Sequence, residues 1–189
     1  DYQRELAFVR KLLDNFFIPL TLLGPEDVQP VSAPWSELRR RLQPAPSPGE
    51  LYASLSQRCK PQVIYRHRDE LDCNMLLFQV PDGKAPALAV VGPYLLQPLS
   101  QELLASNAAK FPDPKGILHP LERYYREVPC LPNENQLLVL LYTLGEFLWD
   151  GGVTVQDLPA GIPAPALDGQ GMGLADPSGS PLSREALEN

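Results

Sequence analysis

Three extended segments follow one another closely in the middle of the chain, and they constrain its fold more than any other feature. In Gln62–Arg68 the side chains alternate in character, which favours an edge strand with one face in water. Asp72–Val80 and Ala87–Leu96 are apolar on both faces and should lie centrally, covered by other elements. Pro81-Asp82-Gly83-Lys84 between them is a turn sequence. The segments predict a three-stranded antiparallel meander, with a bulge or strand end at Gly92-Pro93, where Pro lacks a backbone donor.

Helical patterns precede and follow this meander in the sequence, and their apolar stripes can cover the apolar faces of its strands. The first is amphipathic, with Leu6, Val9 and Leu13 on one stripe and basic residues facing away from it. The predicted helices are Asp1–Asn15, Trp35–Leu42, Glu50–Cys59, Pro98–Ala109, Leu118–Val128 and Glu134–Trp149. An α+β domain therefore follows, in which an antiparallel sheet is flanked by helices over residues Asp1–Gly152.

Two of these helices carry more specific expectations. Asn133 can cap Glu134–Trp149, and apolar residues on two faces of this helix predict that it is buried between layers rather than laid on a surface. The helix Leu118–Val128 is expected to start at Pro120, because proline suits the first turn of a helix.

The C-terminal stretch differs in kind from the rest of the chain. Of the 40 residues from 150 to 189, 12 are Gly or Pro and none is aromatic, and their net charge is −5. Such a composition cannot bury enough apolar surface to offset the entropy of ordering, so residues 153–189 are predicted to be a flexible acidic linker. The whole chain has a net charge of −7, which argues against a nucleic-acid-binding surface of its own.

The three cysteines and the hydropathy pattern indicate a cytoplasmic protein. Cys59, Cys73 and Cys130 form no Cys-x-x-Cys pair, so we expect reduced, buried thiols and neither a disulfide framework nor a zinc site. The longest apolar run is interrupted by Gly92-Pro93 and is too short to cross a bilayer, so no membrane contact is expected.

No motif in the sequence indicates catalysis, a metal or a cofactor. No Gly-x-Ser-x-Gly elbow is present, and Gly169–Gly173 lies among prolines and glycines rather than between a strand and a helix, as a phosphate loop requires. His67, beside Asp69 and Asp72, could serve as an acid–base group or metal ligand. A strand-end histidine in a polar turn explains the same residues more simply.

A ligand pocket between the sheet and its helices is the remaining possibility for chemistry. Its candidate residues carry polar tips that need a partner when buried, and a ligand can be that partner. Tyr65, His67, Asn74 and Tyr94 lie on the predicted strands, and Tyr124 lies on a flanking helix. Core or edge packing of these aromatic residues is the alternative.

Three short motifs, VGPYL (Val91–Leu95), YYREVP (Tyr124–Pro129) and LGEFLWDGG (Leu144–Gly152), occur in this order along the chain. With them, Asp1–Gly152 resembles the N-terminal sensory region of bacterial AraC-family transcriptional regulators. The resemblance implies a GAF- or PAS-like arrangement, in which helices flank an antiparallel sheet. It also implies a linker and then a DNA-binding module of about 100 residues with two helix-turn-helix units.

The resemblance predicts a ligand-sensing input domain without enzymatic activity. Its effector would be a small molecule, and DNA would be contacted only through the module that this chain lacks. We expect a homodimer, with Glu134–Trp149 or Asp1–Asn15 as the contact surface. The alternatives are a small-molecule enzyme that uses the same cavity and a pure dimerisation or interaction domain.

Overall fold

The structure is a computed structural model that describes residues 2–24, 48–81 and 86–158. The predicted helix Trp35–Leu42, the turn residues Asp82-Gly83-Lys84 and most of the predicted linker lie outside the described residues.

Five of the predicted helices are confirmed, with small changes at their ends. They are α1 (Gln3–Asp14), α2 (Pro48–Ser56), α3 (Gln101–Ala108), α4 (Pro114–Glu127) and α5 (Glu134–Leu148). The start of α4 differs from the prediction, since the helix begins at Pro114 and Pro120 lies inside it. The side chain of Asp113 accepts a hydrogen bond from the Gly116 backbone N–H and so caps the earlier start. Within the described residues, no helix combines the length and hydropathy needed to cross a membrane.

The predicted meander is confirmed as the centre of a larger sheet. The strands are β1 (Leu20–Leu23), β2 (Val63–Arg68), β3 (Asn74–Val80), β4 (Ala87–Tyr94) and β5 (Thr154–Asp157). Their order in the sheet is β1-β4-β3-β2-β5. The irregularity expected near Gly92-Pro93 is present as a register shift between Asn74 and Leu76 on the neighbouring strand.

The sheet is mixed, so the prediction of a purely antiparallel sheet is wrong. β5 pairs with β2 in parallel, while β1, β3 and β4 pair antiparallel. Gln62–Arg68 is therefore not an edge strand, because β5 pairs with the backbone groups that an edge strand would leave unpaired. β5 is only four residues long and lies in a Gly/Pro-rich stretch, where its sequence has no clear periodicity. The sheet thus includes residues beyond Gly152.

Helices cover both faces of the sheet. α1 and α5 pack on one face, where Leu13, Leu76 and Leu141 belong to the same core. α2 packs on the other face through Tyr52 and Leu55. A third apolar cluster joins α3 and α4 to the connection between β2 and β3 and to the residues that follow β4.

The helix α5 has one buried face, in contrast to the prediction that it is enclosed between two layers. Leu137, Leu141 and Leu144 are buried against the sheet. On the opposite side Val139 is 62% exposed and Phe147 is 68% exposed. Nothing among the described residues forms a second layer over α5, so apolar side chains on its outer face remain in contact with solvent.

The cysteines divide into two environments. Cys59 and Cys73 are buried, as predicted, whereas Cys130 is exposed. Burial raises the pKa of Cys59 to about 11, so this thiol keeps its proton at neutral pH.

Candidate functional site

Of the five residues predicted to bind a ligand, the three tyrosines lie in three different apolar clusters. Tyr65 is buried on the sheet face that α2 covers, and His67 follows it on the same face by strand alternation. Tyr94 is buried on the opposite face, beneath α1 and α5. Tyr124 belongs to the third cluster, with α3 and α4. The structure therefore does not bring all five residues together into one pocket.

Contacts within the protein hold several of these polar groups. The Tyr65 hydroxyl accepts a hydrogen bond from the Lys60 backbone N–H at 3.2 Å. The Tyr124 hydroxyl lies 3.8 Å from the sulfur of Cys73. Asn74 and Tyr94 are the one pair brought side by side, since they are register partners and the Asn74 amide donates to the Tyr94 carbonyl at 3.4 Å.

The carboxylates near His67 have structural contacts. Asp69 Oδ1 accepts hydrogen bonds from the backbone N–H groups of Leu71 and Cys73, which closes the turn between β2 and β3. Asp72 pairs with Arg68 at 3.0 Å and accepts a hydrogen bond from Asn107. The predicted acid–base pairing of His67 with either aspartate thus competes with contacts that these aspartates already make.

A different polar cluster, formed by Arg66, Tyr94 and Glu134, connects the sheet to α5. The Tyr94 hydroxyl donates to Glu134 Oε1 at 2.5 Å. The Arg66 guanidinium lies 3.1 Å from Glu134 Oε2. Glu134 is the first residue of α5, where the helix dipole also favours a negative charge. Only 15% of the Glu134 side chain is exposed, whereas 42% of the Arg66 side chain is, so solvent reaches the ion pair from the arginine side. We call these three residues the Glu134 cluster.

The environment of Tyr94 keeps its hydroxyl protonated. Burial is the main reason that its pKa is raised far above the usual value for tyrosine, and the hydrogen bond to the Glu134 carboxylate raises it further. The hydroxyl is therefore a permanent donor to Glu134 and not an acid–base group near neutral pH. The cluster has a positioning role in the packing of α5 on the sheet.

Sequence reasoning identified Tyr94 but missed Arg66 and Glu134. Neither residue has a local signal, because an arginine on a strand and a glutamate in the first helical turn are both common. One atom of the cluster, Arg66 Nε, is buried without a hydrogen-bond partner among the described residues. The guanidinium is thus held by Glu134 through one end only.

A groove of about 300 Å³ lies where the end of α1, the end of β4 and the end of α4 meet. Its lining is mostly proline and aliphatic or aromatic side chains, with two carboxylates. The lining residues are Asp14, Phe17, Ile18, Pro19, Pro93, Glu127, Val128 and Pro129. None of the five predicted ligand-binding residues lines the groove, but Pro93 directly precedes Tyr94.

The volume and the side chains of the groove describe the kind of site it is. Within the described ranges, no group of three or more His, Cys, Asp or Glu side chains is close enough to hold a metal ion. The volume of the groove is at the lower end of the range for small-molecule sites, about 300–1,000 Å³.

No family model matches the chain, and neither does any curated protein or solved structure.

Proposed function

We propose that this chain is the ligand-sensing input domain of an AraC-type transcription regulator, with its DNA-binding module outside these residues. The observation that carries the proposal is the position of two of the three AraC-like motifs. Pro93 belongs to the first motif and Val128 and Pro129 belong to the second, and all three residues line the groove. Segments that are far apart in the sequence thus meet at one small-molecule-sized site. A GAF- or PAS-like origin of the fold is part of this proposal.

The contacts beside the groove offer a route for the signal. Pro93 is followed by Tyr94, whose hydroxyl binds Glu134 at the start of α5. Glu134 also binds Arg66 on β2, and β2 pairs with β5. The chain continues from β5 towards the C-terminal stretch. An effector that binds one arrangement of these contacts better than another would shift the population between them.

The lining of the groove restricts the class of effector. Phe17, Ile18 and three prolines favour a small and largely apolar molecule. Asp14 and Glu127 lie at the same site and disfavour an anion by charge repulsion. The proposed effector is therefore a neutral or cationic apolar metabolite.

Thermal-shift screening of the chain against a metabolite library tests the proposal. A true effector at about 100 times its Kd should stabilise the fold by roughly 2.7 kcal/mol. We expect hits among neutral or cationic apolar compounds. Phe17→Ala should weaken their binding by about tenfold, because Phe17 lines the groove and 83% of it is exposed, so its loss leaves the core intact. Phe8→Ala is the matched control, since Phe8 is also an exposed phenylalanine of the α1 region but does not line the groove.

The signalling route has a separate test. Tyr94→Phe should leave effector affinity within about threefold but reduce the effector-dependent change in amide exchange at β2 and β5. A screen without hits, or hits that Phe17→Ala does not weaken, would contradict the proposed site.

A pure interaction domain is the second candidate, and one observation favours it. The outer faces of α1 and α5 expose several large apolar side chains, which is a feature of surfaces that bind other proteins.

A further inference from the structure

Two helices end at the groove, and each of them ends on a carboxylate. Asp14 is the last residue of α1, Glu127 is the last residue of α4, and both line the groove. The C-terminal end of a helix carries a partial negative charge, so an acidic side chain is less favourable there than a basic one. The groove therefore collects two helix ends and two carboxylates, and all four contribute a negative potential.

No basic side chain lines the groove to offset this potential. The basic residues in the last turns of the two helices are Lys11 and Arg126, and neither belongs to the lining. Arg126 pairs instead with Glu122 at 2.7 Å. The lining residues other than the two carboxylates are proline, aliphatic or aromatic, so the charge that this site complements is a cation.

Both carboxylates remain available to a ligand. Asp14 makes no ion pair with another described residue, and the Arg10 guanidinium one turn before it donates to the Leu20 carbonyl at 3.4 Å. Glu127 lies 3.7 Å from Arg123, but 56% of the glutamate side chain and 79% of the arginine side chain are exposed. An exposed ion pair of this length contributes little, so it competes only weakly with a ligand cation.

The apolar part of the groove includes an aromatic residue with an unusual backbone conformation. Phe17 has a φ of +58°, in the left-handed region that bulky residues rarely adopt. It lines the groove and is largely exposed. The face of an aromatic ring attracts an ammonium group, and the ring also packs against alkyl groups. Phe17 thus suits a ligand that has both an ammonium group and an apolar body.

We propose that the groove binds a small organic ammonium ion, namely a protonated primary amine with a compact apolar body. The ammonium group pairs with Asp14 and Glu127, and the body packs against Phe17, Ile18 and the three prolines. An alkylamine is protonated at neutral pH, like lysine with its pKa of about 10.4. This inference rests on the proposed function, because it specifies the chemical class of the effector for the same groove.

Three ligands of nearly the same shape test the charge preference. They are cyclohexylmethylamine, cyclohexylmethanol and cyclohexanecarboxylate, which are cationic, neutral and anionic at pH 7. Ligand-observed NMR titrations of the full 189-residue chain measure the Kd of each. We expect a Kd below about 1 mM for the amine, a Kd at least about tenfold higher for the alcohol, and no binding of the carboxylate at about 10 mM.

Two substitutions remove the negative charges and keep the size of the side chains. Asp14→Asn and Glu127→Gln should each raise the Kd of the amine about threefold, and the double variant should raise it about tenfold, to the value of the alcohol. The Kd of the alcohol should stay within about twofold in all three variants, because the apolar lining is unchanged. Glu102→Gln is the matched control, since Glu102 is exposed on α3 outside the groove, and it should leave the Kd of the amine unchanged.

Several results would overturn the ammonium proposal: no binding of the amine at about 10 mM, equal Kd values for the amine and the alcohol, or a Kd of the amine that the double variant does not change. The metabolite screen separates this failure from a failure of the proposed function. Neutral hits that Phe17→Ala weakens would keep the groove as the effector site and overturn only the preference for an ammonium ion. A screen without hits that depend on Phe17 would overturn both.

Discussion

At the residue scale, the buried hydroxyl of Tyr94 links strand β4 to the start of helix α5. It is fully buried, yet its hydroxyl reaches a carboxylate on a different element. A hydrogen bond to a charged group contributes more than one between neutral groups, about 1.5–3 kcal/mol. The bond therefore accounts for a noticeable part of the attachment of α5 to the sheet.

We expect Tyr94→Phe to lower the free energy of unfolding by about 1.5–3 kcal/mol, because it removes this bond and keeps the ring. Urea denaturation followed by circular dichroism measures the change. Tyr142→Phe is the control, since Tyr142 is 39% exposed and makes no hydrogen bond among the described residues, and it should change stability by less than about 0.5 kcal/mol. Equal effects of the two substitutions would show that the Glu134 bond contributes nothing to stability.

The raised pKa of Tyr94 predicts a specific pH dependence. In the unfolded chain a tyrosine loses its proton near pH 10, whereas folded Tyr94 keeps it. The stability that Tyr94 contributes is therefore complete below about pH 10 and falls by about 1.4 kcal/mol per pH unit above it. The stability difference between the unmodified chain and Tyr94→Phe should be constant from pH 7 to about 9 and narrow above about pH 10. A difference that stays constant up to pH 11.5 would contradict the burial of this hydroxyl.

At the element scale, the last turns of α5 are shaped by the segment that leads into β5. Gly145 lies inside the helix, where glycine is less favourable than alanine by about 1 kcal/mol. A Cβ atom at this site would lie only 2.6 Å from Cγ1 of Val153, just before β5. Glycine thus permits the close approach between α5 and the chain that returns to the sheet.

Gly145→Ala should accordingly destabilise the fold by about 1–3 kcal/mol, although alanine is the better helix former. Adding Val153→Ala should recover part of this loss, because it removes the methyl groups that a new Cβ would meet. Thr143→Ala, on the exposed face of the same helix, should change stability by less than about 0.5 kcal/mol. Thermal and urea unfolding of Gly145→Ala, Val153→Ala, the double variant and Thr143→Ala measure these effects. Additive effects of Gly145→Ala and Val153→Ala would exclude the close contact.

The elements also show where local sequence signals were sufficient. The spacing of Leu6, Val9 and Leu13 predicted α1, and all three side chains are buried. The Asn133 cap predicted the start of α5 and is present, since its side chain accepts from the Asn135 N–H at 3.1 Å. The helix α4 begins earlier than Pro120 suggests, because Asp113 caps it and Pro114 occupies its first turn.

At the scale of the whole molecule, the parallel pairing of β5 with β2 adds the last strand to the sheet and joins residues that are far apart in the sequence. The Thr154 N–H donates to the Gln62 carbonyl at 3.0 Å, and the Leu158 N–H donates to the Arg66 carbonyl at 2.8 Å. The same arginine binds Glu134 at the start of α5. The end of the described chain is thus joined to the Glu134 cluster through β2.

Thr154→Pro should weaken the pairing of β5 with β2, because proline removes the backbone N–H that donates to the Gln62 carbonyl. We expect a loss of about 1–3 kcal/mol in stability and faster hydrogen exchange of the Leu158 amide. Thr154→Ala is the control, since it keeps the backbone donor and should leave the Leu158 amide as protected as in the unmodified chain. Equal exchange rates in both variants would mean that β5 is not held by β2.

The sequence by itself determined the elements whose signals are local: the helical stripes, the caps and the central meander, whose neighbouring strands are joined by short connections. Only the tertiary structure decided what depends on long-range pairing. It placed β5 beside β2, put Tyr65 and Tyr94 on opposite faces of the sheet, and joined Glu134 to Arg66 and Tyr94. It also left one face of α5 exposed. The physical reason is that periodicity records which side of an element is apolar, whereas the partner of each side is selected by the packing of the whole chain.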